Sequence, residues 1–222
     1  MKKILILALA LTALTSRAQQ QGQTTAQQMI DAGLVCLADV CPDVQVRLML
    51  SEPQGLFSTR FYTDLQTAYL HPQAALALKK AQATLKRTHP NLSLLVLDAA
   101  RPMKVQGQLY AKVVGTRQNI YISDPRSGGD QHNYGLAVDV TLVDVETGEQ
   151  LDMGTAFGTF EEASGMAAEE REGSELSETV IANRKLLRRA MAAGGYKPLR
   201  TEWWHFNFRT RSEAKANFRV IK

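Results

Sequence analysis

The sequence predicts an α+β protein, with helices packed on a small antiparallel sheet. Three observations carry that expectation. Residues 71–87 repeat alanine and leucine at helical spacing, residues 92–97 form an apolar run of strand length interrupted only by Ser93, and residues 136–143 alternate as a strand does.

Residues 1–18 have the pattern of a signal peptide. Lys2 and Lys3 open it, residues 4–14 are apolar but too few to span a bilayer, and Ser16-Arg17-Ala18 offers a cleavage site. No cysteine follows the apolar run, so no lipoprotein anchor is expected. The expectation is export to the periplasm or beyond, with no membrane anchor after cleavage. Residues 19–28, rich in Gln and Thr, read as a flexible leader, and residues 29–222 as a single domain.

Residues 31–40 fit either a short helix or a strand. Residues 44–48 alternate and predict a strand. The helix over 71–87 carries Pro72 in its first turn and Lys86 and Arg87 near its negative end. The apolar run 92–97 predicts a buried strand, which finishes at Asp98-Ala99-Ala100-Arg101-Pro102, where Pro102 holds Arg101 extended. A helix is expected over 103–114 and a loop over 124–130. Along 136–143, Ala137, Asp139 and Thr141 share one face; Val138, Val140 and Leu142 share the other, the expected core face. Residues 161–178 are acidic and read as an exposed excursion, either a solvated loop or a gate. A second helix over 179–193 stops at Gly194-Gly195, and residues 203–208 form a final aromatic strand with Trp204 in the core.

The charge balance argues against nucleic-acid binding. The chain carries 26 Lys+Arg against 22 Asp+Glu. Without Lys2, Lys3 and Arg17 the balance is 23 against 22, and a nearly neutral domain has no electrostatic footprint for a polyanion. The two cysteines, Cys36 and Cys41, fit a local disulfide in an oxidising compartment or two free thiols. They are too few for a cysteine-rich metal site.

Histidine is scarce, and two of the four carry interest. His71 and His89 each precede a proline at a helix margin, where surface positions explain them. His132 stands before a strand that carries Asp139, and His205 lies in Glu202-Trp203-Trp204-His205. Two imidazoles, one carboxylate ligand and one spare carboxylate suit catalytic zinc, which takes three protein ligands and keeps one position open. Glu202 would then be the general base. A three-residue step on a regular strand turns Glu202 away from His205, so Glu202 is expected at the loop end of the strand, re-aimed by twist or a bulge. The spacing also allows a loop histidine, an ion-paired aspartate and a plain aromatic strand. Arg101 fits an oxyanion-stabilising donor held by Asp98, or a structural Asp98–Arg101 ion pair.

These residues resemble a known family. Leu97-Asp98-Ala99-Ala100-Arg101-Pro102, His132-Asn133-Tyr134-Gly135-Leu136-Ala137-Val138-Asp139 and Glu202-Trp203-Trp204-His205-Phe206 are similar to the D-alanyl-D-alanine dipeptidases, which include the vancomycin-resistance zinc dipeptidases. The resemblance spans roughly residues 44–208. It implies one zinc ion per chain on His132, Asp139 and His205, Glu202 as base and Arg101 as transition-state stabiliser. It also implies the small α+β fold shared with zinc D,D-carboxypeptidases and the hedgehog signalling domain. Three departures stand out. Asp130 replaces a serine, Gly158 replaces an aspartate that the family is understood to use for the substrate's ammonium, and Gly165 replaces a histidine. Glu161 and Glu162 are the nearby carboxylates that fit as substitutes.

Three functions follow as expectations: a zinc D,D-dipeptidase acting on D-Ala-D-Ala, a wider peptidoglycan stem-peptide endopeptidase or carboxypeptidase, and a zinc-binding module without catalysis. The presence of both Glu202 and Arg101 disfavours the last. The expected partner is a small peptide substrate; the sequence leaves the oligomeric state open.

Overall fold

The computed structural model describes residues 24–53 and 59–222. The expected signal peptide, residues 1–18, and the first part of the leader lie outside the described residues. The leader is expected over residues 19–28. Helix α1 (Thr25–Asp31) begins inside it. Thr24 caps the helix by accepting from Gln27 N, Asp64 accepts from Thr25 N at 2.7 Å and Thr25 Oγ1 at 2.6 Å, and Met29 is fully buried. A capped start tied to a distant carboxylate outweighs the polar composition.

Residues 31–40 resolve into both alternatives in succession. Strand β1 (Val35–Cys36) is followed at once by helix α2 (Leu37–Val40). Cys36 and Cys41 flank that helix as free thiols, which corrects the disulfide alternative. The intervening helix spaces them: Cys36 Sγ lies 3.9 Å from Thr67 Oγ1, while Cys41 is buried in the core.

Strand β2 (Gln45–Val46) is shorter than the alternating stretch that predicted it. Strand β3 (Tyr69–Leu70) pairs antiparallel with β1. Helix α3 (Pro72–Thr88) follows, with the His71 side chain accepting from Gln73 N. Strand β4 (Leu92–Asp98) and helix α4 (Met103–Val113) come next, then strand β5 (Ala137–Asp144). Helix α5 (Met166–Glu170), helix α6 (Glu178–Ala193), strand β6 (Lys197–Pro198), strand β7 (His205–Asn207) and helix α7 (Arg211–Asn217) complete the order.

The main sheet runs β2-β4-β5-β7-β6. It is mixed: β2 lies parallel to β4 at one edge, and the other pairings are antiparallel. One face carries Leu94, Val96, Val138, Val140, Leu142 and Phe206, which share a core with Ala74, Leu78, Ala81 and Leu85 of α3 and Leu187 and Met191 of α6. Full burial of each leucine contributes about 1.5–3 kcal/mol. Buried Gln82 ties α3 to β4, donating to Ser93 Oγ at 2.8 Å and accepting from Leu94 N at 2.9 Å. The opposite face holds a smaller cluster of Leu95, Leu97 and Val143, against which Phe157 packs. Two covered faces explain why β4 reads as one apolar run.

Most of the acidic stretch 161–178 is exposed, as expected, but it is anchored at Ser164 and Glu169. Ser164 is fully buried, and Glu169 accepts from Arg188 at 2.8 Å and lies 3.5 Å from buried Arg184. The final strand is also shorter, because Trp203 and Trp204 form a turn before it; Trp204 is in the core, 1% exposed. Among the described residues no helix is long and apolar enough to cross a membrane.

Candidate metal centre and active site

Three central strands set the site on one rung. Asp98 of β4 stands opposite Asp139 of β5, and Asp139 stands opposite His205 of β7. Directly paired residues point to the same side of a sheet. Regular pairing would place Leu97 opposite Asp139, since Leu95 pairs with Thr141 and Val96 with Val140. A bulge between Val96 and Asp98 inserts one residue and brings the aspartate there instead.

His132 reaches this rung from a turn over Gln131–Tyr134. Asp130 caps the turn, its Oδ1 accepting from His132 N at 3.0 Å, while Asn133 Oδ1 accepts from Asp130 N at 2.9 Å. Asn133 Nδ2 also donates to Arg101 O, and Arg101 N donates to His132 O. The turn must then reverse into β5, and Gly135 permits this with φ of +66°. A Cβ there would come within 2.9 Å of His71 N, so no side chain fits.

His132, Asp139 and His205 form a buried cluster. His132 Nε2 lies 3.3 Å and His205 Nδ1 3.1 Å from Asp139 Oδ1, and the two nitrogens are 3.1 Å apart. The outer bonds fix the tautomers. His132 Nδ1 lies 2.6 Å from Ala99 O, which can only accept, and His205 Nε2 lies 3.0 Å from Asn207 Oδ1. Each neutral ring therefore turns a lone pair inward. Asp139 Oδ1, buried and without a hydrogen-bond partner, faces both. Three acceptors meeting in a dry place call for positive charge. Ligands ~2.0–2.2 Å from a tetrahedral zinc stand roughly 3.3–3.6 Å apart, close to the spacing of these atoms. The donor set fits the ion.

The electrostatics carry the same message. Burial favours a neutral Asp139, but the two imidazoles outweigh it and hold the carboxyl far below the usual range. Burial pulls His205 down, yet the Asp139 carboxylate raises it to about 9. In the protein alone a proton answers part of the demand.

Glu202 stands beside the cluster. Its carbonyl accepts from His205 N at 3.3 Å, closing the turn that joins the two residues. Burial pushes its carboxyl up to about 7, His205 and His132 acting to lower it and Asp139 and Asp130 to raise it. Arg101 is also buried. Its Nε and Nη2 both donate to Asp98 Oδ2, at 2.9 and 2.6 Å, and Nη1 donates to Gln106 Oε1 at 2.8 Å. Asp98 Oδ1 accepts from Tyr62 OH. Burial opposes the arginine's charge, but Asp98 and its other acidic neighbours outweigh that and raise its pKa. Nη1 lies 3.7 Å from Asp130 Oδ2 and Nη2 3.8 Å from Asp139 Oδ2, beyond hydrogen bonds. Two N–H groups thus remain for another acceptor.

All five sequence candidates converge, while His71 and His89 cap the two ends of α3. Sequence reasoning missed Gln106, which holds Arg101 from the helix just after it, and Tyr62, which holds Asp98 from 36 residues upstream. Asn207 had a signal: it shares a strand face with His205. Tyr121, Phe157 and Phe160 went unnoticed. Tyr121 stacks on Phe160 at 5.1 Å, and Phe157 meets Trp204 at 5.4 Å. The Tyr121 hydroxyl is raised by burial, then by the Glu202 and Glu161 carboxylates. Glu162 is paired with Arg171. Asp130 caps as a serine would and adds a charge facing Arg101.

The chain belongs to the Peptidase_M15 family, D-ala-D-ala dipeptidase, whose family model matches residues 30–221. A D-alanyl-D-alanine dipeptidase of Escherichia coli (strain K12) is 31% identical over 173 residues, 78% of this chain and 83% of that one. One from Enterococcus faecium is 36% identical over 87 residues, 39% of this chain and 41% of its own. One from Synechocystis is 28% identical over 166 residues, 59% of this chain and 65% of its own. A solved structure, "Structure of the LdcB LD-carboxypeptidase reveals the molecular basis of peptidoglycan recognition", shares 18% identity at a TM-score of 0.42, covering 82% of this chain and 70% of that one, a likeness too loose to argue from.

Proposed function

We propose that this chain is a zinc dipeptidase that hydrolyses D-Ala-D-Ala outside the cytoplasm. The observation that carries the reading is the set of three inward-facing acceptors on His132, Asp139 and His205. One zinc ion held there would supply Lewis acidity, polarising a peptide carbonyl and lowering the pKa of water to about 7. Glu202 accepts the proton of the attacking water at its carboxylate and returns it to the leaving amine. Arg101 offers its two remaining N–H groups to the carbonyl oxygen as charge develops there. Ala99 O and Asn207 Oδ1 hold the two imidazoles in the tautomers that keep their lone pairs inward. Export rests on the residue 1–18 pattern, and the wall-facing substrate fits it.

Gly158 favours a second reading, a peptidase of longer peptidoglycan stems. A glycine offers no carboxylate to a dipeptide's ammonium, and a longer chain places no ammonium there. The purified mature chain, with its zinc content recorded, should release D-alanine from D-Ala-D-Ala. Cleavage of a stem pentapeptide with little on the dipeptide would establish the second reading. No cleavage of either by zinc-loaded protein would leave a binding module.

A further inference from the structure

The turn that carries Glu202 is gripped from a segment that supplies none of the three cluster residues. Trp203 N donates to Ser164 O at 2.9 Å, and His205 N donates to Glu202 O at 3.3 Å. These two bonds pin opposite sides of one peptide unit, the one joining Glu202 to Trp203. That plane sets the direction in which the Glu202 side chain leaves the backbone.

The Trp203 side chain is held by the same segment. Its Nε1 donates to Thr155 Oγ1 at 2.9 Å. Thr155 Oγ1 lies 2.8 Å from Ser164 Oγ, and Ser164 Oγ donates to Thr159 O at 2.6 Å. Each hydroxyl has one proton. Since Ser164 spends its proton on Thr159 O, Thr155 must donate to Ser164. The order is fixed: indole N–H to Thr155, Thr155 to Ser164, Ser164 to a carbonyl. Ser164 is fully buried and Trp203 nearly so, 4% exposed. Beside this chain, Met166 N donates to Arg200 O at 2.8 Å, so residues 164–166 run against residues 200–203. A Cβ on Gly165 would meet Arg200 O at 3.2 Å, which shows how close the two backbones come.

We infer that Thr155 and Ser164 are positioning residues for Glu202, acting through Trp203. A directed chain with every donor used has one arrangement, and removing a member leaves a buried donor or acceptor unmet. The strain then falls on the peptide unit of Glu202. The inference rests on the reading of Glu202 as base.

The experiment compares Thr155→Val, Thr155→Ser and Ser164→Ala with the full chain, on the substrate established above. Readouts are kcat, KM, bound zinc and Tm. Thr155→Val should lower kcat about 10- to 100-fold while KM and zinc content stay within about twofold, the size expected when a reacting group is displaced by a fraction of an ångström. Thr155→Ser keeps the hydroxyl and should restore kcat to within about threefold. The deciding readout is coupling: in a Glu202→Gln background, Thr155→Val should cause no further loss. A lower Tm with unchanged kcat would overturn the inference, as would an equal further loss in the Glu202→Gln background, since either marks a purely structural bond. An active Glu202→Gln protein would sink the base assignment itself, a separate failure read from that variant alone.

Discussion

Asp139 and His205 stand directly opposite each other on β5 and β7, with Asp139 Oδ1 3.1 Å from His205 Nδ1. The ladder that joins the strands therefore also fixes the distance between two candidate ligands. A metal bound here should stabilise the folded chain, by about 4 kcal/mol when free metal exceeds its Kd a thousandfold. Chelation should lower Tm and abolish turnover together, and zinc should restore both. His205→Ala should lose bound zinc and turnover alike. An unchanged Tm on chelation would count against metal at this rung.

In the proposed mechanism Glu202 has a task separate from holding the metal, so its loss should leave the metal in place. Glu202→Gln should retain zinc and lower kcat about 10²- to 10⁴-fold. The carboxyl must be ionised to accept a proton, and burial raises it to about 7. The rate should therefore fall as pH drops through an acid limb. A bound cation pulls that carboxyl downward, so the limb belongs at or below about 7. A pH profile of kcat/KM for the wild-type chain checks this, and full activity in Glu202→Gln would falsify the base assignment.

Arg101 makes a geometric prediction. Arg101→Lys keeps the charge but loses the fork that grips Asp98 and Gln106 while leaving two N–H groups free. We expect kcat to fall about 10²- to 10³-fold with KM little changed. A loss confined to Tm would instead mark the arginine as a structural partner of Asp98.

Gly158 allows a test of substrate choice. It sits at φ of +77°, in the left-handed region. Aspartate tolerates that region better than most residues, at a cost of roughly 1–2 kcal/mol. Gly158→Asp should lower KM for D-Ala-D-Ala about tenfold, equivalent to ~1.4 kcal/mol of charge-assisted binding. If Glu161 already holds the ammonium, Glu161→Gln should raise KM and Gly158→Asp should do little. Steady-state kinetics of both variants separate the cases.

The sequence exposes the parts of this molecule that follow local rules. Helix α3 shows itself through its alanine and leucine spacing, and β4 through the apolar run over residues 92–97. The candidate ligands were legible because histidine is rare here and Asp139 sits among valines. The misses are non-local. Nothing near Gln45 says that β2 runs parallel to β4. The bulge that turns Asp98 toward Asp139 exists only once β4 and β5 pair. Glu169 looked solvated because its partners, Arg184 and Arg188, lie on the next helix. Thr24 as a helix cap was hidden in a polar run that composition alone reads as loose.

The inward-facing acceptors have an evolutionary consequence. A chain that stopped loading a cation would keep two lone pairs and a carboxylate pressed together in the middle of its sheet. A proton relieves this only in part. Such a descendant would gain stability by exchanging one of the three for an apolar neighbour, and selection against unfolding would favour the exchange even with no loss of function left to suffer. Relatives that no longer bind a cation should be recognisable by the first of His132, Asp139 and His205 to disappear.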